Sequence, residues 1–295
     1  MKTIGFIGLG KMGLPMALNL CKAGFEVLIH SSSPSSAAAV EQAGGRTVPS
    51  YQALAQQADV VITIVPADKE IRELYLSPGG ILDSMRPGTA CIDMTSALGE
   101  TMLELADYVK SRNLDIKLLD APVSGGTAGA ASGKLTIMVG CESQALCDLY
   151  MPVFQAMGEK IFYTGGLGSA SNIKMINQMI NAANTAIAAE AICVAQQLGV
   201  DLNILCQVVN QSSGGSYIFE RNVPKYMLTG DHTPGFRLSL MKKDVGLFMA
   251  AAENIHAFAP VSKLVQQVYQ ATANQGMEDR NYTCILEWLK QNQGK

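Results

Sequence analysis

Along the first half of this chain, apolar residues come in short runs rich in Val, Ile and Leu, separated by stretches in which they recur every three or four positions. Residues 3–7, 26–30, 59–65, 89–94, 117–119 and 135–139 read as strands. Residues 12–23, 35–43, 51–57, 68–76, 100–111 and 143–157 carry helical spacing. The run Val60-Val61-Ile62-Thr63-Ile64-Val65 is apolar on both faces, as a strand covered by helices on both sides must be. This alternation predicts an α/β fold with a doubly wound, mostly parallel sheet. It stops near Tyr163, and from Ser169 the pattern is almost wholly helical, opening with one long segment that reaches about Leu198. Gly165-Gly166-Leu167-Gly168 breaks both patterns. Two domains are therefore expected, 1–165 and 166–295, the second all-α and entered by a long interdomain helix.

Composition narrows the partners. The 295 residues include 25 acidic and 22 basic side chains, for a net charge of −3, and no block of like charge. A nucleic-acid binder needs a basic patch or stripe, so no such partner is expected. The most apolar long stretch, 179–198, contains Asn181, Asn184, Glu190 and Gln196, which suits a buried helix and not a membrane span. The seven cysteines form no CxxC, and His30, His232 and His256 stand far apart, so no metal site is expected. Scattered thiols, and an N-terminus that runs from Lys2 directly into the first strand, point to a cytoplasmic protein.

Gly8-Leu9-Gly10-Lys11-Met12-Gly13 is a GxGxxG between the first strand and the first helix. There Gly8 permits the tight turn, Gly10 lets the backbone approach a pyrophosphate, and Gly13 lets the helix pack on the strand. The helix N-terminus adds free N–H groups and a partial positive charge. This context makes 1–165 a Rossmann-type dinucleotide-binding domain. A carboxylate at the end of the second strand would hold the ribose diol, but the sequence there is His30-Ser31-Ser32-Ser33-Pro34. Ser31 and Ser32 can donate to a 2′-phosphate that a carboxylate would repel, so NADP, or both NADP and NAD, is expected. The same serines also suit a turn that caps the next helix. Val65-Pro66 and Thr95-Ser96 end the following strands and are expected to flank the cofactor, with a Thr95 or Ser96 hydroxyl on the nicotinamide ribose.

Two further clusters carry chemistry. Ser124-Gly125-Gly126 follows a strand, and backbone N–H groups freed by two glycines beside a hydroxyl make a nest suited to a carboxylate. Lys174 lies in the long helix with Asn177 and Gln178 at i+3 and i+4, so three polar groups share one face. Hydride transfer to a carbonyl leaves an alkoxide that a nearby ammonium stabilises and protonates. Burial and a second cation would make that lysine a better base in the reverse direction.

Phe6-Ile7-Gly8-Leu9-Gly10-Lys11-Met12-Gly13-Leu14-Pro15-Met16-Ala17 resembles the cofactor signature of the β-hydroxyacid dehydrogenase family. Asp120-Ala121-Pro122-Val123-Ser124-Gly125-Gly126 resembles its substrate loop, and Gly168 with Lys174, Asn177 and Gln178 its catalytic helix. Pro234-Gly235-Phe236 and Lys243-Asp244 resemble its C-terminal signature. The resemblance spans nearly the whole chain. It implies an NAD(P)-dependent oxidoreductase that moves a hydride between the nicotinamide and a short 3-hydroxy acid or its semialdehyde. Tartronate semialdehyde, 3-hydroxyisobutyrate or a threonate-like acid would fit. It also implies Lys174 as general acid/base, Lys243 as the second cation near the nicotinamide or substrate, and a homodimer or homotetramer built on the helical domains.

In this family a segment of the helical domain helps to choose the substrate. Here it would be residues 212–221, whose small and hydroxyl side chains leave room for a polar, hydroxylated acid, while Tyr217 and Phe219 fit a pocket or a core equally well. Two other readings stand beside this one: an imine reductase on the same fold, and an inactive NADP-binding regulator. Lys174 argues against the first, because that position typically carries another residue there. Lys174, Asn177, Ser124 and the Gly pair together argue against the second.

Overall fold

The computed structural model describes residues 2–293. The chain divides into two compact units, with the division between Lys174 and Met175. The strands of the first are β1 (Thr3–Ile7), β2 (Glu26–Ile29), β3 (Arg46–Thr47), β4 (Val60–Thr63), β5 (Thr89–Asp93), β6 (Ile116–Asp120), β7 (Val123–Ser124), β8 (Leu135–Gly140) and β9 (Gly158–Gly165). Its helices are α1 (Gly13–Lys22), α2 (Pro34–Gln42), α3 (Tyr51–Gln57), α4 (Asp68–Leu76), α5 (Ile81–Ser84), α6 (Gly99–Ser111), α7 (Gly126–Ser132) and α8 (Gln144–Gln155).

The sheet runs in the order β3-β2-β1-β4-β5-β6-β8-β7, with β9 also paired to β8. From β3 to β6 every neighbouring pair is parallel. That stretch has the 3-2-1-4-5-6 order of a dinucleotide-binding domain, and the strand order reverses between β1 and β4. Alternate residues along each strand feed two cores. Ile4, Phe6, Val60, Ile62 and Ile92 pack with Met16 and Leu20 on one face. Ile7, Leu28, Val61 and Cys91 pack with Leu54, Ile71 and Leu105 on the other. The expected burial on both faces is thus what closes this domain.

The far edge departs from the sequence pattern. There β8 lies antiparallel to β6 and β7 and parallel to β9. The alternation therefore continues to Gly165, beyond Tyr163, because β9 is a half-exposed strand whose polar residues conceal it. Ser124 belongs to the two-residue strand β7, where a loop was expected, and β7 and β3 are too short to show a period. Conversely, β4 ends at Thr63, so Ile64, Val65 and Pro66 form the turn that follows it.

The glycine run does separate regular structure: β9 ends at Gly165 and α9 (Ser169–Gln197) begins after Gly168. The second unit continues with α10 (Leu202–Asn210), a π-helix (Ile218–Met227), α11 (Leu238–Asn254), α12 (Pro260–Ala273), a short 3₁₀ turn (Tyr282–Cys284) and α13 (Ile285–Gln291). Its core joins Ala182, Ala189 and Ile192 of α9 to Met241 and Val245 of α11 and Tyr269 of α12. Phe219 is 7% exposed and belongs to that core, whereas Tyr217 is 63% exposed. Among the described residues no helix is long and apolar enough to cross a membrane, and no group of three or more His, Cys, Asp or Glu side chains is placed to hold a metal.

Candidate active site

In the first unit the predicted cofactor residues gather at one edge of the sheet, where the carboxyl ends of the parallel strands open. Residues 8–13 leave β1, Ser31 and Ser32 follow β2, Val65 and Pro66 follow β4, and Thr95 and Ser96 follow β5. Ligands bind open α/β sheets at such an edge, beside the reversal of strand order.

The glycines of the first turn differ in what they allow. Gly8 has φ +101°, and a Cβ there would collide with the Ile64 carbonyl. A Cβ on Gly13 would collide with the Gly8 carbonyl and come within 2.8 Å of Ile64 Cγ2. Both are closed by protein atoms. Gly10 is exposed, and a Cβ there meets nothing within 4 Å, so its surroundings are open to a ligand. Helix α1 begins at Gly13 with no side-chain cap and no acidic residue in its first turn, as suits a helix start that meets an anion. Leu9 is half-buried and its carbonyl accepts from Ser36 Oγ at 3.4 Å, while Lys11 is exposed and Met12 half-buried. This turn fits a pyrophosphate.

The serine turn caps the next helix. Ser33 Oγ caps α2 by accepting from Ser36 N at 3.4 Å, and Ser31 Oγ accepts from Ser33 N at 3.1 Å. Ser32 is exposed, and no carboxylate stands in the turn.

Thr95 is 2% exposed, and its hydroxyl works inside the protein. It donates to Asp93 Oδ2 at 3.2 Å and accepts from Val65 N at 3.1 Å. Ser96 is the more exposed of the two neighbouring hydroxyl residues. Asp93 also accepts from Thr95 N at 3.0 Å and from the Thr63 hydroxyl. Burial pushes the Asp93 carboxyl up to about 6, against the pull of these hydrogen bonds.

Asp120, at the end of β6, is 1% exposed. Its carboxylate accepts from Gly168 N at 2.7 Å, Ser171 N at 2.7 Å and Ser171 Oγ at 2.9 Å, and so caps the start of α9. Burial raises its pKa and these hydrogen bonds oppose the rise. Beyond it, Ser124 leads into Gly125 at φ +129° and Gly126 at φ +61°, where α7 begins. A Cβ on Gly126 would meet nothing within 4 Å. Consecutive positive-φ glycines turn the backbone sharply next to the Ser124 hydroxyl, as a small-anion nest requires.

On α9, Lys174 is 6% exposed and Gln178, one turn on, is buried as well, while Asn177 lies on the exposed flank. In the second unit these amides enter a chain of contacts. Asn177 Nδ2 donates to Gln178 Oε1 at 3.3 Å, and Gln178 Nε2 donates to Asp244 Oδ2 at 2.7 Å. The other Asp244 oxygen lies 3.1 Å from Lys243 Nζ. Asp244 is buried, so one carboxylate holds both the Gln178 amide and the Lys243 ammonium in place. The neighbouring Lys242 instead pairs with Glu278 at 2.7 Å, which separates the two adjacent lysines.

Asp120 and Asp244 lie within the motifs above and Asp93 closes the strand at 89–94, but the pattern of the sequence assigns none of the three a role. The signal available for the first two was an acidic residue closing an otherwise apolar strand, Ala-Cys-Ile-Asp and Leu-Leu-Asp. A carboxylate is tolerated there only when it is hydrogen-bonded.

A family model described as the NAD binding domain of 6-phosphogluconate dehydrogenase matches residues 3–165. A second, described as NAD-binding of NADP-dependent 3-hydroxyisobutyrate dehydrogenase, matches residues 168–289. The chain is 32% identical to 2-(hydroxymethyl)glutarate dehydrogenase of Eubacterium barkeri, covering 99% of this chain and 96% of that one. It is 34% identical to the NAD-dependent L-serine dehydrogenase of Pseudomonas aeruginosa, covering 100% of both. The solved structure of Mycobacterium tuberculosis 3-hydroxyisobutyrate dehydrogenase with L-serine superposes with a TM-score of 0.90 at 32% identity, covering 98% of this chain and 99% of that one.

Proposed function

The chain belongs to the β-hydroxyacid dehydrogenase family of NAD(P)-dependent oxidoreductases, and we propose that it interconverts a short 3-hydroxy acid and its semialdehyde with Lys174 as the proton-moving group. The substrates named for the three relatives share one unit, a hydroxymethyl group on the carbon that bears the carboxylate. The substrate is therefore read as a small carboxylate of that form. Ser124, Gly125 and Gly126 are assigned to the carboxylate, with Asn177 and Gln178 beside the reacting hydroxyl.

The observation that carries the reading is a buried lysine on the same helix face as a buried amide, Lys174 and Gln178. An ammonium removed from bulk water holds its proton at a fixed place and gives it to the developing alkoxide oxygen. In the oxidative direction the neutral amine takes the hydroxyl proton. Lys243, held by Asp244, supplies a second positive charge for the cofactor or substrate. The cofactor is NAD or NADP, and when bound its nicotinamide gives or accepts the hydride. The residues assigned to hold it are Gly8, Leu9, Gly10, Lys11, Met12 and Gly13 for the pyrophosphate, and Val65, Pro66, Thr95 and Ser96 toward the nicotinamide. Ser31 and Ser32, with no carboxylate beside them, favour acceptance of NADP. In this reading the cofactor domain is residues 1–165 and the helical domain 166–295.

A homo-oligomer is part of the proposal. Within the second unit, α9 exposes Ile176, Ile180, Ile187 and Val194, an apolar stripe at intervals of four and seven that suits packing against another helix. Seven free cysteines, six of them buried, support a reducing, cytoplasmic setting.

Lys174→Ala tests the chemistry. The expected result is a fall in kcat of about 10²- to 10⁴-fold, with NADPH or NADH bound as tightly as by the wild type. Near-full turnover of 3-hydroxy acids by the variant would remove Lys174 from the mechanism. Turnover of cyclic imines in place of hydroxy acids by the wild type would move the chain to the imine reductases.

A further inference from the structure

Three turns at the cofactor edge are joined by a chain of contacts that starts at a buried carboxylate. Asp93 accepts from the Thr63 hydroxyl, from Thr95 N and from Thr95 Oγ1. Thr95 Oγ1 in turn accepts from Val65 N at 3.1 Å. Val65 follows Ile64, whose carbonyl and side chain are the atoms that close against Gly8 and Gly13. Ile64 N is also bonded to the Ile7 carbonyl at 3.0 Å, and Met94 N to the Thr63 carbonyl at 2.7 Å. The turns after β1, β4 and β5 are thus one connected assembly.

An ionised carboxylate accepts and cannot donate, so it fixes the direction of every hydroxyl that meets it. With the Thr95 proton pointed at Asp93, the Thr95 oxygen presents lone pairs to the Val65 N–H. With the Thr63 proton likewise given to Asp93, the Tyr75 hydroxyl 2.7 Å away donates to Thr63. A neutral carboxyl carries one proton, and where that proton is given to Thr95 Oγ1 the Thr95 hydroxyl loses the acceptor that set its direction.

We propose that Asp93 is a positioning residue for the cofactor: its carboxylate orients Thr95 so that the turn after β4 is locked to the turn after β5 and held against the glycine turn. The inference rests on the reading of this edge as the cofactor edge.

The titratable groups that Asp93 feels are Tyr75 of α4, Cys91 of β5 and Asp120 of β6. Burial pushes Tyr75 and Cys91 upward, so both stay neutral through the physiological range. The charge on Asp120 adds to the rise at Asp93, which changes state at about 6. Cofactor affinity should therefore weaken as pH falls through that value.

The test is the dissociation constant of NADPH and of NADH, measured from nucleotide fluorescence between pH 5 and pH 8. For the wild type a loss of about 5- to 10-fold is expected from pH 8 to pH 5, the size of one ordinary net hydrogen bond. Asp93→Asn should bind weakly by a similar factor at pH 8 and show a flattened profile. Thr95→Val should be weak as well, whereas Thr95→Ser, which keeps the hydroxyl, should restore wild-type affinity. If Asp93→Asn does not fold, the wild-type profile and the two Thr95 variants carry the test. Wild-type affinity in Asp93→Asn and Thr95→Val, or an unchanged pH profile in either, overturns the inference. Nucleotide binding that is normal but pH-independent, with Lys174-dependent turnover intact, sinks the inference alone. A wild-type protein that binds neither nucleotide sinks the parent reading.

Discussion

Asp93 and Asp120 end neighbouring strands, and each carries a charge that its surroundings resist. For Asp93 the carboxyl moves from the ordinary 3.8 to about 6 because burial penalises the ion more than its hydrogen bonds favour it. The sign follows. A raised folded-state pKa favours the fold fully below about pH 4, and that contribution is lost as pH rises through 6, amounting to about 3 kcal/mol. Relative to Asp93→Asn, wild-type stability should therefore decline by about 3 kcal/mol between pH 4 and pH 8, read from urea denaturation at each pH. A difference that stays constant with pH would mean that Asp93 does not titrate in this range. A charge that opposes folding at neutral pH is understandable where function needs the carboxylate to be ionised.

At the scale of elements, α9 depends on Asp120. Its first turn is anchored by three hydrogen bonds to that carboxylate, and Gly168, at φ +84°, brings the chain so close that a Cβ would lie 2.9 Å from the Gly99 carbonyl. Asp120→Ala leaves the Gly168 and Ser171 N–H groups buried without their acceptor. It should cost roughly 2–4 kcal/mol, seen as a lowered Tm, with Asp120→Asn milder because one acceptor remains. Equal Tm values for all three proteins would show that the helix start is held by other means. The sequence made α9 itself legible, since its period runs for nearly thirty positions, and it made the GxGxxG turn legible through its place between β1 and α1. The partners of Asp120, roughly fifty positions away, could not be read from a period. Nor could β7, two residues long, or β9, where Glu159 and Lys160 interrupt the apolar pattern of a strand at the margin of the sheet. Likewise, the motif pointed to Lys243, but only the folded chain shows that Asp244 holds it together with Gln178.

At the scale of the whole molecule, the exposed apolar stripe of α9 bears on assembly. Ile187 is 60% exposed at the middle of an apolar stripe. Ile187→Glu should leave the fold of the second unit intact, because the side chain is outside its core, and should shift the protein toward the monomer. Analytical ultracentrifugation across a range of loading concentrations measures this, and an unchanged sedimentation profile would exclude this face from the proposed assembly. If two copies meet along α9 about a twofold axis, each stripe residue is presented twice, and one substitution alters both halves of the contact. Folding and association then draw on the same apolar surface, so resistance to heat would rise with protein concentration. For such a molecule dilution is itself a destabilising condition, and a melting temperature has meaning only when the concentration is stated with it.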